Sequence, residues 1–239
     1  GKFTWTWLLF RLFSVGSLLL VFIALRQLAE RMGKKLSLGD AAVFFLNPAV
    51  LIEIVANTHN DLWMLAPALF GLSLLLARKR FSLGWRVVGS LVLLALSVSI
   101  KYATVVLLPV WLTILALERF EAGSFARLKV PKQFLSILTK GLWERVFRLL
   151  PYVAAVLLLL PLFTTQSQQY LPWYLTWSLV WLPLIGSRKW RSFWIVCSIA
   201  ALLRYVPWLY AGGYEAETVQ WQKYISWGIP AVWLIWQSS

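Results

Sequence analysis

Residues 5–25 read WTWLLFRLFSVGSLLLVFIAL, an apolar stretch holding one charged residue, Arg11, and closed by Arg26. About 20 such residues are what an α-helix needs to cross the hydrocarbon core of a bilayer. Further runs of the same kind follow at 39–56, 62–77, 85–100, 103–117, 149–163, 173–185, 193–209 and 224–236. Together they predict an all-α fold, a polytopic transmembrane helix bundle of about nine spans forming one domain over residues 1–239. The third, fifth and seventh runs are short for a crossing. They are expected either to be completed by flanking Trp and Tyr or to be re-entrant pieces buried in protein.

Composition points the same way. Of the 239 residues, 60% are hydrophobic and 13% charged, against roughly 45–50% and about 25% in soluble domains, and the mean hydropathy is +0.73. A soluble globule, a disordered chain, a collagen and a disulfide scaffold are all disfavoured. The single Cys197 lies in an apolar run and has no intrachain partner, so cysteine usage is silent about redox compartment. Nor is there a 20- to 50-residue repeat, a Gly-rich phosphate loop, zinc-ligand spacing or a Gly-x-Ser-x-Gly elbow.

A net charge of +14 raises nucleic acid as a partner. The basic residues, however, come in packets between apolar runs, which membrane topology explains and nucleic-acid binding does not. Arg26, Arg31, Lys34 and Lys35 follow the first run; Arg78, Lys79, Arg80 and Arg86 the third; a series from Arg119 to Arg148 the fifth; Arg188, Lys189 and Arg191 the seventh. The alternate connections hold only Lys101 and Lys223. Because positive connections stay cytoplasmic, those at 57–61, 101, 164–171 and 211–223 are expected outside, with residue 1 outside and the C-terminus inside. The chain opens on Gly1-Lys2 without an initiator Met or a readable signal peptide, and is expected to be a fragment or processed form. Most of the 16 Trp residues fall near the ends of the runs, where they are expected to anchor in the headgroup layer. Residues 118–148 alternate basic residues with Phe120, Phe125, Phe134, Trp143 and Phe147, as a helix lying on an anionic leaflet does.

An ionisable group at membrane depth costs about 2.5–3.5 kcal/mol on insertion scales, so each is a functional candidate. The densest group is Glu53, Asn57, Thr58, His59, Asn60 and Asp61, which includes the only His. On one helix, Glu53, Asn57 and Asn60 form a polar stripe toward the outer surface, crowned by His59 and Asp61, and Pro48 after Asn47 marks a break at the other end. The alternative is a helix cap, with Asn60 or Asp61 accepting from the next helix's first turn. Lys101, beside Tyr102, either snorkels or offers a point charge to a phosphate. The uncharged loop 164–171, running into Pro172, Trp173 and Tyr174, suits a sugar or is a plain polar loop with an aromatic belt. Arg11 and Arg204, inside apolar runs, need an acidic partner, a phosphate or carbonyls. A metal would rest on Asp61, Glu53 and carbonyl oxygens, the hard ligand set of Mg²⁺ or Mn²⁺; no cofactor is expected.

The stretch from Asn47-Pro48 through Glu53 to Asn57-Thr58-His59-Asn60-Asp61, then Lys101-Tyr102 with Leu107-Leu108-Pro109, then Pro172-Trp173-Tyr174 and Trp177 resembles the GT-C-type membrane glycosyltransferases, in particular the bacterial polyprenyl-phosphate-mannose-dependent mannosyltransferases. The resemblance implies transfer of a sugar from a polyprenyl-phosphate carrier to a glycan or glycolipid acceptor at the outer face of the inner membrane. It implies that His59 and Asp61 are catalytic, lining the place where acceptor hydroxyl or carrier phosphate is oriented. Lys101 would steady the phosphate, Trp173 and Tyr174 would border the sugar, and Glu53, Asn57, Asn60 and Tyr102 would complete the binding site. It also implies that the chain corresponds to the C-terminal two-thirds or so of such an enzyme, without the spans ahead of Trp5. Two other classes stand beside it: a transporter or flippase of a lipid-linked or polar solute, which would use Glu53, Arg11 and Arg204 near the midplane, and a non-catalytic scaffold or fragment.

Overall fold

The structure, a computed structural model, describes residues 1–78, 80–127, 132–164 and 171–238, with side chains outside 122–136, 138 and 238. Among them there are helices and no strand. In chain order these are α1 (Lys2–Arg31), α2 (Leu38–Phe45), α3 (Pro48–Val50) running on as a π-helical turn Leu51–Ala56, α4 (Asp61–Leu75) and α5 (Leu83–Ile100). A 3-10 segment Tyr102–Leu107 leads into α6 (Leu108–Arg127), followed by α7 (Lys132–Leu157). Short pieces at Leu160–Phe163, Pro172–Leu175, α8 (Thr176–Leu179) and Leu182–Leu184 precede α9 (Arg188–Leu203), α10 (Tyr205–Ala211), α11 (Ala216–Lys223), a π turn Tyr224–Gly228 and α12 (Ile229–Ser238).

Five helices are long and apolar enough to cross a membrane, namely Lys2–Arg31, Leu83–Ile100, Tyr102–Glu121, Thr139–Phe163 and Arg188–Ala211; the bent pair Leu38–Phe45 and Pro48–Ala56 makes up to six. The chain is an integral membrane protein on this evidence, with fewer full-length spans than the nine runs suggested. The pair is bent by 52° where Asn47 caps α3 through Ala49 N–H (2.9 Å) and Pro48 takes the first helical position. The run at 62–77 coincides with α4, only 15 residues long. That at 173–185 is interrupted by Pro172 and Pro183 and folds as short pieces buried inside the bundle. The last run is helical, as the π turn Tyr224–Gly228 and α12, but it is short for a crossing and the helix leading into it, Ala216–Lys223, is polar.

At the centre stands α4, buried around most of its circumference, as expected for a helix apolar on all sides. It packs on α1 and α5. The contact stripe of α1 is Ser14, Ser17, Val21, Ala24 and Leu28, a spacing of three and four that keeps one side of a helix against its neighbour. On its other side Leu9, Leu12, Val15 and Leu19 are exposed, as a lipid-facing surface requires. Close approach of α4 and α5 depends on Gly71: a Cβ there would lie 3.1 Å from the Ser90 carbonyl oxygen and 3.2 Å from the Trp111 ring.

The basic packets gather at one end of the bundle. Arg86, buried on α5, donates to both oxygens of Glu118 on α6 (2.6 and 2.9 Å) and to the Leu75 carbonyl at the end of α4 (2.6 Å). Arg78 pairs with Glu121 and lies over the Trp143 ring of α7. Arg191 reaches Asp40 (2.5 Å), and Lys34 the Leu184 carbonyl (3.2 Å). Tryptophan has two roles here. Trp5, Trp7, Trp85, Trp221 and Trp236 are exposed, as membrane anchors are, whereas Trp111, Trp177, Trp181 and Trp194 are fully buried and serve the core. Side chains 122–136 and 138 of the expected surface helix 118–148 lie outside the described residues; 118–121 and 139–148 instead belong to helices long and apolar enough to cross a membrane, and Glu118, Glu121 and Trp143 take part in the charge network above.

Candidate active site

The other end collects the polar residues that the sequence singled out. Asp61 opens α4 and is fully buried. Its Oδ1 accepts from Lys101 Nζ (2.9 Å) at the end of α5 and from Trp177 Nε1 (2.5 Å) on α8. Its Oδ2 is buried with no hydrogen-bond partner among the described residues, so the carboxylate charge is answered from one side, by a Lys101 ammonium that keeps part of its surface exposed. The alternatives weighed for these residues separate cleanly. Asn60 occupies the N-cap position of α4 without a side-chain cap bond, and Lys101 is tied to a carboxylate rather than only snorkelling.

Glu53 lies in the π-helical turn and is also fully buried. Its Oε1 accepts from the Tyr205 hydroxyl (2.9 Å) and its Oε2 from Asn57 Nδ2 (3.1 Å), with His59 Nε2 at 3.5 Å. The polar stripe is therefore shorter than a continuous helix would make it. Glu53 and Asn57 face one another, but the helix stops at Ala56 and Thr58 adopts a left-handed conformation (φ 58°), which costs a β-branched residue strain. That turn swings His59 toward Trp173 and takes Asn60 off the stripe.

His59 stacks on Trp173, with ring centroids 4.0 Å apart and planes 21° from parallel. Trp173 meets Tyr174 edge-on at 5.5 Å, and Tyr174 lies 4.7 Å from Trp177. Burial lowers the His59 pKa below the ordinary imidazole value, aided by Lys101 and opposed by Asp61 and Glu53. Burial, with the Asp61 charge, raises that of Tyr174, which stays a hydrogen-bond donor. The Tyr102 hydroxyl is 3.2 Å from Thr164 Oγ1; the rest of the polar loop, 165–170, lies outside the described residues. Arg11 resolves its burial on a carbonyl, donating to Val55 O (2.7 Å), and Arg204 is buried.

Four stretches thus meet at one end: 53–61, 101–102, 173–177 and Tyr205. Sequence reading missed Tyr205, a residue inside the run 193–209 with no pattern to mark it, whereas Thr164 belongs to the polar loop that it had singled out. Among the described residues no group of three His, Cys, Asp or Glu converges as a metal site.

Comparison with known proteins bears on the first half of the chain. Residues 1–117 match the family model described as alpha-(1->6)-mannopyranosyltransferase, N-terminal domain; no curated protein and no solved structure matches significantly. The matched stretch contains Glu53 to Asp61 and Lys101-Tyr102, and leaves Trp173 and Trp177 outside it. The description is of an N-terminal domain, whereas the motif resemblance implied a C-terminal portion; both point to a mannosyltransferase. Over residues 1–117 the chain is thus similar to the N-terminal domain of alpha-(1->6)-mannopyranosyltransferases.

Proposed function

We propose that the protein is a membrane mannosyltransferase that takes its sugar from a polyprenyl-phosphate carrier and passes it to a glycan or glycolipid acceptor at the His59 end of the bundle, on the extracytoplasmic side of a bacterial inner membrane. The observation that carries this reading is the convergence of an imidazole, an ammonium and an indole at one end: His59 against Trp173, with Lys101 held by Asp61 beside them. The distribution of charge supports the sidedness, since the basic packets lie at the opposite end, where the cytoplasm is expected.

The reaction is a displacement at the anomeric carbon. The acceptor hydroxyl oxygen bonds to that carbon, the bond from carbon to phosphate oxygen breaks, and the electron pair leaves with the phosphate. His59 takes the acceptor proton, for which its lowered pKa keeps the ring neutral and receptive. The imidazolium so formed faces Glu53 at 3.5 Å. Lys101 stabilises the negative charge growing on the leaving phosphate. Asp61 acts through Lys101 and Trp177 as a positioning residue, since its oxygens are sealed from the site surface. Trp173 and Tyr174 border the sugar, with Asn57, Asn60 and Tyr102 at the rim. The transporter alternative draws less support, because Arg11 and Glu53 are engaged in hydrogen bonds.

The test is transfer of radiolabelled mannose from polyprenyl phosphate mannose by membranes containing the full-length protein. We expect transfer, reduced about 10²–10⁴-fold by His59→Ala. No transfer to any of several mannoside acceptors by the unmodified protein would remove the proposal.

A further inference from the structure

A second site lies at the opposite end, and it is independent of the sugar-transfer reading. Between the C-terminal half of α1, the end of α4 and the face of α5 is an open cleft of about 630 Å³. Its lining combines the apolar Phe22, Ile23, Phe70 and Leu93 with the basic Arg26, Arg31 and Arg80. Glu30 is the one carboxylate there, and it is occupied by Arg26 at 3.2 Å along the same helix. Among the described residues neither Arg31 nor Arg80 has a carboxylate within ion-pairing distance. Three other arginines at this end are paired: Arg86 with Glu118, Arg78 with Glu121 and Arg191 with Asp40.

A cleft lined by both apolar side chains and two arginines without a carboxylate partner among the described residues suits an amphiphile with an anionic head. Basic pockets between membrane helices at the cytoplasmic level hold such headgroups, and the apolar side chains give acyl chains a surface that excludes water. A free phosphate would meet the arginines and leave the apolar side chains bare; a zwitterionic lipid would bring its phosphate with a compensating ammonium and so no net charge to set against the two guanidiniums. We propose that this cleft binds an anionic phospholipid, its phosphate held by Arg31 and Arg80 and the first part of its acyl chains lying along Phe22, Ile23, Phe70 and Leu93. The lipid bridges α1 to the connection between α4 and α5.

The experiment uses the full-length protein, purified in detergent and incubated with phosphatidylglycerol or phosphatidylcholine, with retained lipid read by native mass spectrometry. Phosphatidylglycerol is expected to be retained at least tenfold more than phosphatidylcholine. The double variant Arg31→Gln/Arg80→Gln is expected to abolish that preference, Arg31→Lys/Arg80→Lys to keep most of it, and Arg188→Gln/Lys189→Gln, outside the cleft at the same end, to leave it intact. Equal retention of the two lipids, undiminished preference in Arg31→Gln/Arg80→Gln, or equal loss in Arg188→Gln/Lys189→Gln would each overturn the proposal, the last by showing a general charge effect. Inorganic phosphate competing away phosphatidylglycerol at equimolar concentration would also overturn it. A failure of mannose transfer leaves these outcomes unchanged.

Discussion

Asp61 has no path to solvent, and its charge is balanced by Lys101 and Trp177 alone. Replacing Lys101 by Met strands that charge, at a cost of about 3 kcal/mol, the lower end of the range for broken buried pairs because Lys101 is itself partly exposed. The double variant Asp61→Asn/Lys101→Met is expected to recover most of the loss in detergent unfolding experiments while transfer stays absent, which separates the structural pair from the phosphate contact. His59 gives a pH signature. Its folded pKa lies below the ordinary value, so the folded state binds fewer protons than the unfolded one; its contribution to stability is complete above the ordinary imidazole value and is lost as pH falls through the folded value. Transfer runs in the same sense, since protonation removes the base. A pH–rate profile across about pH 5–8 should show an acid limb that His59→Gln, with its slow residual activity, lacks. These residues were legible because charge and imidazole are rare at membrane depth. Tyr205 was not: nothing in an apolar run distinguishes a tyrosine that donates to a buried carboxylate from one in an aromatic belt.

Among the elements, α4 is the one whose neighbours leave no slack. A Cβ at Gly71 would press on backbone, the Ser90 carbonyl at 3.1 Å, and on the buried Trp111 ring. At Gly89 it would meet the tip of Leu74, at 2.7 Å, an end free to turn. Gly71→Ala is therefore expected to destabilise by about 1–3 kcal/mol, and Gly89→Ala by less, in paired thermal unfolding measurements. The break between α2 and α3 was readable from Asn47-Pro48, because proline dictates the backbone around it. Pieces such as 173–185 were not readable as broken, since an apolar run looks the same to hydropathy whether lipid or protein covers it. Only packing distinguishes them, and α4 supplies it by filling the bundle centre.

Across the whole molecule, the basic packets lie at one end and the imidazole stacked on an indole at the other, where Lys101 and Arg11 are the cations beside it. The alternation of basic packets along the sequence made this visible before any contact was known, because each crossing reverses the chain's direction. Orientation in the membrane follows as a prediction. In a Cys197→Ser background, Thr58→Cys should react with a membrane-impermeant maleimide in intact cells, and Lys35→Cys only after permeabilisation. The reverse pattern would place the His59 end in the cytoplasm and remove the extracytoplasmic site.

The triple junction at Asp61 also sets an order of events during synthesis. Lys101 follows Asp61 by 40 residues and Trp177 by 116. At about 5–20 residues per second, the carboxyl waits on the order of ten seconds between its own emergence and that of its last partner. Until then α4 carries an acid at its tip without the two partners that hold it in the folded chain. The junction is consequently completed late, only once the chain has been made as far as Trp177, and the Tyr205 contact to Glu53 comes later still.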